Sequence, residues 1–399
     1  MKYTIEIPAH HVKVSYRGED GYSARRNATL LARAIEAAGE NAAVLRDYEI
    51  LLACSTADVT GEYDICVGNH AITATAGGVL AHEVIRRQLV AWMEEGSAPV
   101  SVHGIAADTF SDSNRFAPVR QGNQRVMFYN LLWNNDLLYA PTQRNMMCAE
   151  VVREFMPDVV GFQETNVKKR GELKEFNIEI LMARYGYKEV PVTVENCYKN
   201  SNSTPIFYNT ERVNFLDGAY VWYRDQAQNI GTMDQSSKSM TWGLFEDKQT
   251  GERFIAASTH MCTQVDEIRE MQTMEASELF AALHAKYGVP IILGGDFNST
   301  PAGRGYHYYH DVKCYPAAYE HATVDTCDAK TYHPYPALDA ETGLIMPTGG
   351  ATLHDYTRAI DHIFCPYLEK EKIKVFGVVI NEYTLASSDH FPVFVDFSV

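Results

Sequence analysis

The run Ile291-Ile292-Leu293-Gly294-Gly295-Asp296-Phe297-Asn298 narrows the folding options more than any other stretch of the chain. It reads as a buried strand that ends in a loop, and the loop carries an acid and an amide two residues apart. On extended backbone such a pair faces one side. Four further polar clusters each follow an apolar run of their own: Asn130, Glu164, Thr259-His260, and Asp361 with Ser388-Asp389-His390. Strand tips are rigid supports on which an enzyme presents polar groups. Five such tips, with residue types that hold a divalent metal and move protons, predict one hydrolytic site.

Strands and helices alternate from Arg125 onward. Strands are expected at 126–132, 159–162, 204–208, 240–245, 253–258, 291–294, 360–364, 375–380 and 393–397, and helices at 142–155, 171–185 and 265–287. The long, mixed connections suggest two sheets packed face to face with helices outside, not one doubly wound sheet. Residues 1–120 differ in character. Val12-Lys13-Val14-Ser15-Tyr16 alternates like a strand, and 24–38 repeats its apolar residues at helical spacing. Short strands follow at 43–45 and 63–67, then a helix over 78–94. This predicts a small α/β domain of unknown role, loosely similar to the one preceding the barrel in many glycoside hydrolases. A polar linker at 108–123 separates it from a second domain over 121–399.

Charge constrains the substrate. The chain of 399 residues carries a net charge of −16. Residues 1–120 hold 11 basic and 15 acidic side chains, and the remainder 24 and 36. Neither part has the basic footprint through which nucleic-acid binders gain affinity, so a long polyanion is disfavoured. No apolar run approaches the ~20 residues of a membrane span, and the start lacks a signal-peptide core. The chain as given reads as cytoplasmic, although a trimmed secreted chain would read the same. Its eight cysteines form no CxxC pair and read as mostly buried, reduced thiols.

Phosphate esters resist attack because the nucleophile must approach an anion, and a hard divalent cation relieves that repulsion. Magnesium takes one or two protein carboxylates, a role that suits Glu164. A lone loop Glu is usually just solvated; the ordered set reverses that reading. Asn130 can hold a metal-bound water or a phosphate oxygen without adding charge, and His260 can donate to the phosphate or protonate the leaving oxygen.

Seven segments carry a resemblance: Phe128-Tyr129-Asn130-Leu131, Val160-Gly161-Phe162-Gln163-Glu164, Pro205-Ile206-Phe207-Tyr208, Ser258-Thr259-His260, Gly294-Gly295-Asp296-Phe297-Asn298, Ile360-Asp361-His362-Ile363 and Ser388-Asp389-His390-Phe391-Pro392. In this order, residues 125–399 resemble the endonuclease/exonuclease/phosphatase superfamily of deoxyribonuclease I-like, metal-dependent phosphoesterases. The resemblance implies a four-layer α/β-sandwich with Mg2+ or Mn2+ as cofactor. It implies Glu164, Asn130 and Asp389 at the metal, and His260 on the scissile phosphate. Asp296 would position or deprotonate the attacking water, and Asn298 would bind phosphate. His390 would act as general base or phosphate ligand, oriented by Asp361.

Lys238-Ser239-Met240-Thr241-Trp242, with Arg269 and Gln272, and the segment Ala351-Thr352-Leu353-His354 resemble a bacterial branch of the superfamily. That branch implies a small or lipid-type phosphoester, mono or di, as substrate. One departure stands out. The superfamily usually has a Glu just before the Pro-Ile-Phe-Tyr strand, where it orients the first His. Here the segment is Tyr198-Lys199-Asn200-Ser201-Asn202-Ser203-Thr204. Asn200 or Asn202 would have to serve, or the partner of His260 comes from elsewhere. Tyr198, with Asn130, Asn298 and Arg269, is a candidate for substrate contact. Residues 305–350, rich in His and Tyr, read as a substrate rim or as a loop packed on its own aromatics. Two alternatives stay open: a deoxyribonuclease I-like endonuclease and a binding module with weakened catalysis.

Overall fold

The computed structural model describes residues 2–17, 38–55, 62–77, 79–105, 120–132, 141–165, 176–192, 203–223, 238–322, 359–379 and 382–399, with 28, 31–32, 35–36, 324–325, 331–332, 337–338 and 345–346. The chain divides into two compact units. One comprises Met1–Ser113, Asn135–Met147 and Tyr335–Thr352, and the other Asn114–Asn134, Cys148–Pro334 and Leu353–Val399.

The first unit is built on a six-stranded mixed sheet. Its strands are β1 (Lys2–Ile7), β2 (Val12–Arg17), β3 (Glu49–Ser55), β4 (Glu62–Gly68), β5 (Ala71–Gly77) and β6 (Val102–Ile105), in the order β1-β2-β3-β5-β4-β6. Helix α1 (Val79–Glu95) packs on β4 and β5 and buries Ile85, Leu89 and Trp92. The strand expected at 43–45 is absent. Gly39–Leu45 forms a 3-10 helix whose buried residues are Ala42 and Leu45. That three-residue spacing places both on one side of a 3-10 turn, and the strand follows it as β3. Among residues 24–38, those described at 28, 31–32 and 35–36 are helical.

The second unit holds β7 (Gln124–Asn130), the second half of α2 (Pro141–Phe155), β8 (Val159–Gln163), α3 (Ile178–Arg184), β9 (Tyr187–Glu189), β10 (Ile206–Asn209), β11 (Val213–Trp222), β12 (Ser239–Asp247) and β13 (Arg253–His260). Helix α4 (Asp266–Tyr287), β14 (Ile291–Asp296) and β15 (Val324–Asp325) follow. A two-stranded ribbon of the first unit, β16 (Ala337–Leu338) and β17 (Ile345–Met346), interrupts the series before β18 (Asp361–Phe364), β19 (Ile373–Val378) and β20 (Val393–Phe397). The sheets have orders β15-β19-β20-β7-β8-β10-β9 and β11-β12-β13-β14-β18. Their inner faces share one core, with Val126, Phe128, Val159 and Ile206 on one side and Phe254, Ala256, Ile292 and Ile363 on the other. Each such buried aliphatic or Phe side chain contributes ~1.5–3 kcal/mol. The outer face of the five-stranded sheet buries Ile255, Ile291 and Leu293 against Ala276, Phe280 and Leu283 of α4. This is the four-layer sandwich with a small additional α/β region.

Glycine sets how closely the two sheets approach. A Cβ on Gly294 would lie 2.2 Å from the Phe128 ring, so no other residue fits there without displacing the core. Gly295, at φ +129°, adopts backbone that side chains rarely tolerate. The two glycines end β14 as a flat, close-packed strand and deliver Asp296 at its tip.

β11 lies outside the strands expected from the sequence. Its ten residues include Asn214, Asp217 and Gly218, and a register shift falls between Phe215 and Asp217. The bulge breaks the period-two pattern by which a strand is read. Within residues 305–317, Tyr306, Tyr309 and Tyr315 pack in the core beside Phe297 and Phe364, while His307 and 311–314 are exposed. Cys66, Cys148, Cys262, Cys314 and Cys365 are free thiols, of which Cys148 and Cys365 are buried and Cys66 and Cys314 exposed. Among the described residues, no helix is long and apolar enough to cross a membrane.

Candidate active site

Strand direction gathers the polar tips at one end of the two sheets. β13 and β14 run parallel and pair His260 with Asp296. β14 and β18 run antiparallel, so the last residue of one, Asp296, pairs with the first of the other, Asp361. β7 and β8 run parallel and pair Asn130 with Gln163, which places Glu164 one residue beyond. β20 returns antiparallel to β7, with Val393 opposite Phe128, and brings Asp389 and His390 to the same end.

Asp296 is the hub. Its Oδ2 accepts from Asn130 Nδ2 at 3.0 Å and lies 3.4 Å from His260 Nε2 and 3.7 Å from His390 Nε2. Its Oδ1 accepts the backbone N–H of Asn298 at 2.8 Å, a turn that holds the carboxylate in place. Asn298 sits at φ +49°, a conformation Asn tolerates better than most residues, and its Nδ2 donates to Met261 O at 3.0 Å. Asn130 Nδ2 also reaches Glu164 Oε1 at 3.3 Å. Glu164 itself is left-handed, at φ +54°, a strain of about 1 kcal/mol that turns its carboxylate off the strand and toward its neighbours.

The two imidazoles differ in charge. Burial pulls His390 down, but the carboxylates of Asp361, Asp296 and Asp389 overcome it and hold the ring well above the usual histidine range. Its Nδ1 donates to Asp361 Oδ2 at 2.8 Å. Asp361 Oδ2 also accepts from Thr331 Oγ1 at 2.7 Å, and Tyr332 packs edge-on against the His390 ring. A cationic His390 suits a proton donor or an anion contact; acting as a base would first require loss of that proton. His260 is the reverse. Burial, then the positive charges of Lys238 and His390, hold it well below its usual range and therefore neutral.

The acids are also displaced. Burial raises Asp296 against the opposing pull of His390, and burial pushes Asp389 up to about 6. Asp389 Oδ1 is buried and accepts no hydrogen bond. Glu164, His260 and Asp296 present ligand atoms within 4.8 Å of one another, as do Asp296, Asp361 and His390. A crowd of carboxylates with an orphaned buried oxygen is the donor set of a hard divalent cation. Of the three expected ligands, Glu164 belongs to the first of these groups, Asn130 lies beside it through Nδ2 while its Oδ1 accepts the Leu132 N–H at 3.0 Å, and Asp389 belongs to neither group.

Arg269 and Gln272 are committed elsewhere. Arg269 Nη1 donates to Cys262 O at 2.9 Å and its Nε to Asp266 at 3.2 Å, while Gln272 Oε1 accepts from Cys262 N at 2.9 Å. Together they pin the turn that follows His260. Tyr198, Asn200, Asn202 and the 351–354 segment lie outside the described residues. Sequence reasoning assigned no role to Lys238, which is 4% exposed with Nζ 2.6 Å from His260 Nε2. No local signal marks it: Lys238 precedes β12 and comes beside the site only because Ser239, the first residue of β12, pairs with His260. Thr331 was also missed, because nothing local marks a threonine as the partner of an acid 30 positions away.

Residues 127–390 match the model of the Endonuclease/Exonuclease/phosphatase family. A mannosyl-6-phosphatase of Bacteroides thetaiotaomicron superposes with a TM-score of 0.53 at 22% identity, covering 68% of this chain and 98% of that one. An endonuclease/exonuclease/phosphatase of Bacteroides vulgatus gives 0.53 at 22%, covering 68% and 97%. A functionally unknown conserved protein of Enterococcus faecalis gives 0.52 at 16%, covering 68% and 98%. At these identities the likeness speaks to the fold. The search of curated proteins found no match.

Proposed function

Because the chain belongs to the endonuclease/exonuclease/phosphatase family and is a phosphoesterase, we propose that it hydrolyses a small or lipid-type phosphoester, using a divalent cation and an activated water. The observation that carries this reading is the convergence on Asp296, whose Oδ2 faces Asn130, His260 and His390 at 3.0, 3.4 and 3.7 Å.

Glu164, Asn130 and Asp389 would hold the cation, Mg2+ or Mn2+; when bound, it supplies positive charge that offsets the phosphate and the charge of the transition state. The rest is the work of side chains. Asp296, made more basic by burial, positions the attacking water and takes its proton. The His390 imidazolium, held in orientation by Asp361, contacts a phosphate oxygen and lowers the charge the water must approach. His260 offers a neutral ring to the phosphate, and the Asn130 and Asn298 amides align its oxygens. Water is the nucleophile, and the reaction passes through no covalent intermediate.

A small substrate agrees with the acidic balance of the chain and with the mannosyl-6-phosphatase that shares its fold. We assign residues 1–120 to an accessory domain and 121–399 to the catalytic domain. The test is hydrolysis with Mg2+ and Mn2+ on p-nitrophenyl phosphate, bis-p-nitrophenyl phosphate, sphingomyelin or phosphoinositide, and plasmid DNA, with Asp296→Ala as control. Metal-dependent and Asp296-dependent cleavage of the small or lipid esters, with DNA intact, is expected. Nicked plasmid alone would move the protein to the nucleases, and silence on all four would favour a binding module.

A further inference from the structure

The two halves of the His390–Asp361 pair stand on different sheets. Asp361 opens β18 of the five-stranded sheet, and His390 lies just before β20 of the seven-stranded sheet. Ladder register fixes neighbours within one sheet, but the offset between two packed sheets is set by the side chains and loops that touch both. The 2.8 Å from His390 Nδ1 to Asp361 Oδ2 spans that offset.

Thr331 touches both sides. Its backbone carbonyl accepts the N–H of Phe391 at 2.8 Å, and its neighbour Tyr332 forms an isolated antiparallel bridge with His390. Its side chain is fully buried on the other sheet's segment. There Oγ1 accepts the N–H of Ile360 at 3.1 Å and of Asp361 at 3.0 Å, and donates to Asp361 Oδ2 at 2.7 Å. A hydroxyl has one proton and two lone pairs. All three are engaged, so the proton is fixed on Asp361. An Asp carboxylate turns easily about its last torsion. Here one oxygen receives two donors, Thr331 and His390, and a turn would break both bonds. Across the ring, His390 Nε2 faces Asp296 Oδ2 at 3.7 Å. The setting of the Asp361 carboxylate therefore becomes the aim of that far nitrogen.

Building on the phosphoesterase reading, we propose that Thr331 is a positioning residue: it fastens Asp361 to the His390 segment across the two sheets and so aims His390 Nε2 at the phosphoryl group beside Asp296. Thr331 touches no reacting atom, and no bond is made or broken by it. Its loss acts on turnover more than on substrate affinity, because the transition state is less tolerant of a misplaced donor than the bound ground state.

The test compares wild type with Thr331→Val, which keeps the shape and removes the hydroxyl, and Thr331→Ser, which keeps the hydroxyl, each checked for folding by thermal melt. Thr331→Cys, a weaker donor of similar size, replaces Thr331→Val if that variant does not fold. With Mg2+ and p-nitrophenyl phosphate or its bis ester, kcat should fall roughly 10–100-fold in Thr331→Val while KM stays within about threefold, and Thr331→Ser should recover most of the loss. In an Asp361→Asn background the same Thr331→Val change should cost little more, because residues that act as a unit are not additive. Wild-type kcat in a folded Thr331→Val protein, or a fully additive loss with Asp361→Asn, overturns the proposal. A second reading needs no turnover: the His390 ring N–H proton resonance, assigned by its absence in His390→Ala. Its exchange with solvent should quicken in Thr331→Val and return toward the wild-type rate in Thr331→Ser. If wild type hydrolyses neither ester, the phosphoesterase reading fails, and this exchange rate still decides: quickened, Thr331 holds the pair; unchanged, it does not.

Discussion

The two ends of β7 carry two clusters of buried charge, and they are built on opposite rules. At its start, Arg125 makes a two-pronged pair with Asp396, Nε to Oδ1 at 2.6 Å and Nη2 to Oδ2 at 2.7 Å. Asp158 beside it accepts from Arg120, Arg212 and the Arg125 backbone N–H at 2.7–2.9 Å. Three cations meet two anions there, and these carboxylate oxygens all have partners. At its other end Asn130 reaches Glu164 and Asp296, Asp361 and Asp389 stand beside His390, and among the described residues Lys238 and His390 are the cations there. One oxygen of Asp389 there accepts no hydrogen bond. A satisfied cluster fastens strands together. An excess of one sign, held in place by the same scaffold, is a stored demand for a ligand of the other sign. The contrast assigns structure to the first end and chemistry to the second.

The sharpest way to break the comparison is to remove charge from the site end. Glu164→Gln and Asp296→Ala should each lower kcat about a thousandfold or more. Thermal melts should meanwhile hold or rise, because like charges have been separated. A large loss of stability in either variant would make the site end structural too. At the other end the signs reverse. Arg125→Met leaves Asp396 buried without its pair and should cost about 3–5 kcal/mol in urea unfolding, with kcat per folded molecule unchanged.

Acid sensitivity sharpens the comparison further. His362, next to Asp361, donates Nε2 to Ser299 O at 2.7 Å, and burial pulls it from its usual 6.5 to about 4. Between those values the unfolded chain takes up a proton that the folded chain refuses. The contribution is therefore complete above the unfolded value and is lost as the pH falls through it toward 4, about 3 kcal/mol in all. A His362→Gln protein should show a flatter stability profile from pH 7 to pH 4, read by urea midpoints. An unchanged slope would assign the acid sensitivity to other groups. The smallest effect is expected from metal. Mg2+ at about 100 times its dissociation constant should add about 2.7 kcal/mol to wild type and markedly less to Glu164→Gln. Arg125→Met should keep the full increment, since its defect lies at the other end.

How much of this was legible in the sequence follows from the same contrast. Asn130, Glu164, His260, Asp296, Asp361 and His390 each stand at a strand boundary beside an apolar run, so local pattern was enough to nominate them. The Arg125–Asp396 pair joins positions 271 residues apart, and nothing near either residue announces the other. Lys238 sits before a strand instead of after one, where a lysine looks like an ordinary solvated flank. Its burial depends on β12 pairing with β13, a tertiary fact. β11 was hidden by its own bulge, and the 43–45 segment was read as a strand because a short apolar run does not distinguish extended from tightly wound backbone.

The most direct measurement is the rate of Mg2+-dependent hydrolysis of p-nitrophenyl phosphate and its bis ester by wild type, Asp296→Ala and Arg125→Met, compared per folded molecule. Metal-dependent turnover by wild type and Arg125→Met, with Asp296→Ala reduced to background, is the predicted result. Turnover by Asp296→Ala at the wild-type rate would contradict the account, because the residue on which the site converges would then have no part in the chemistry.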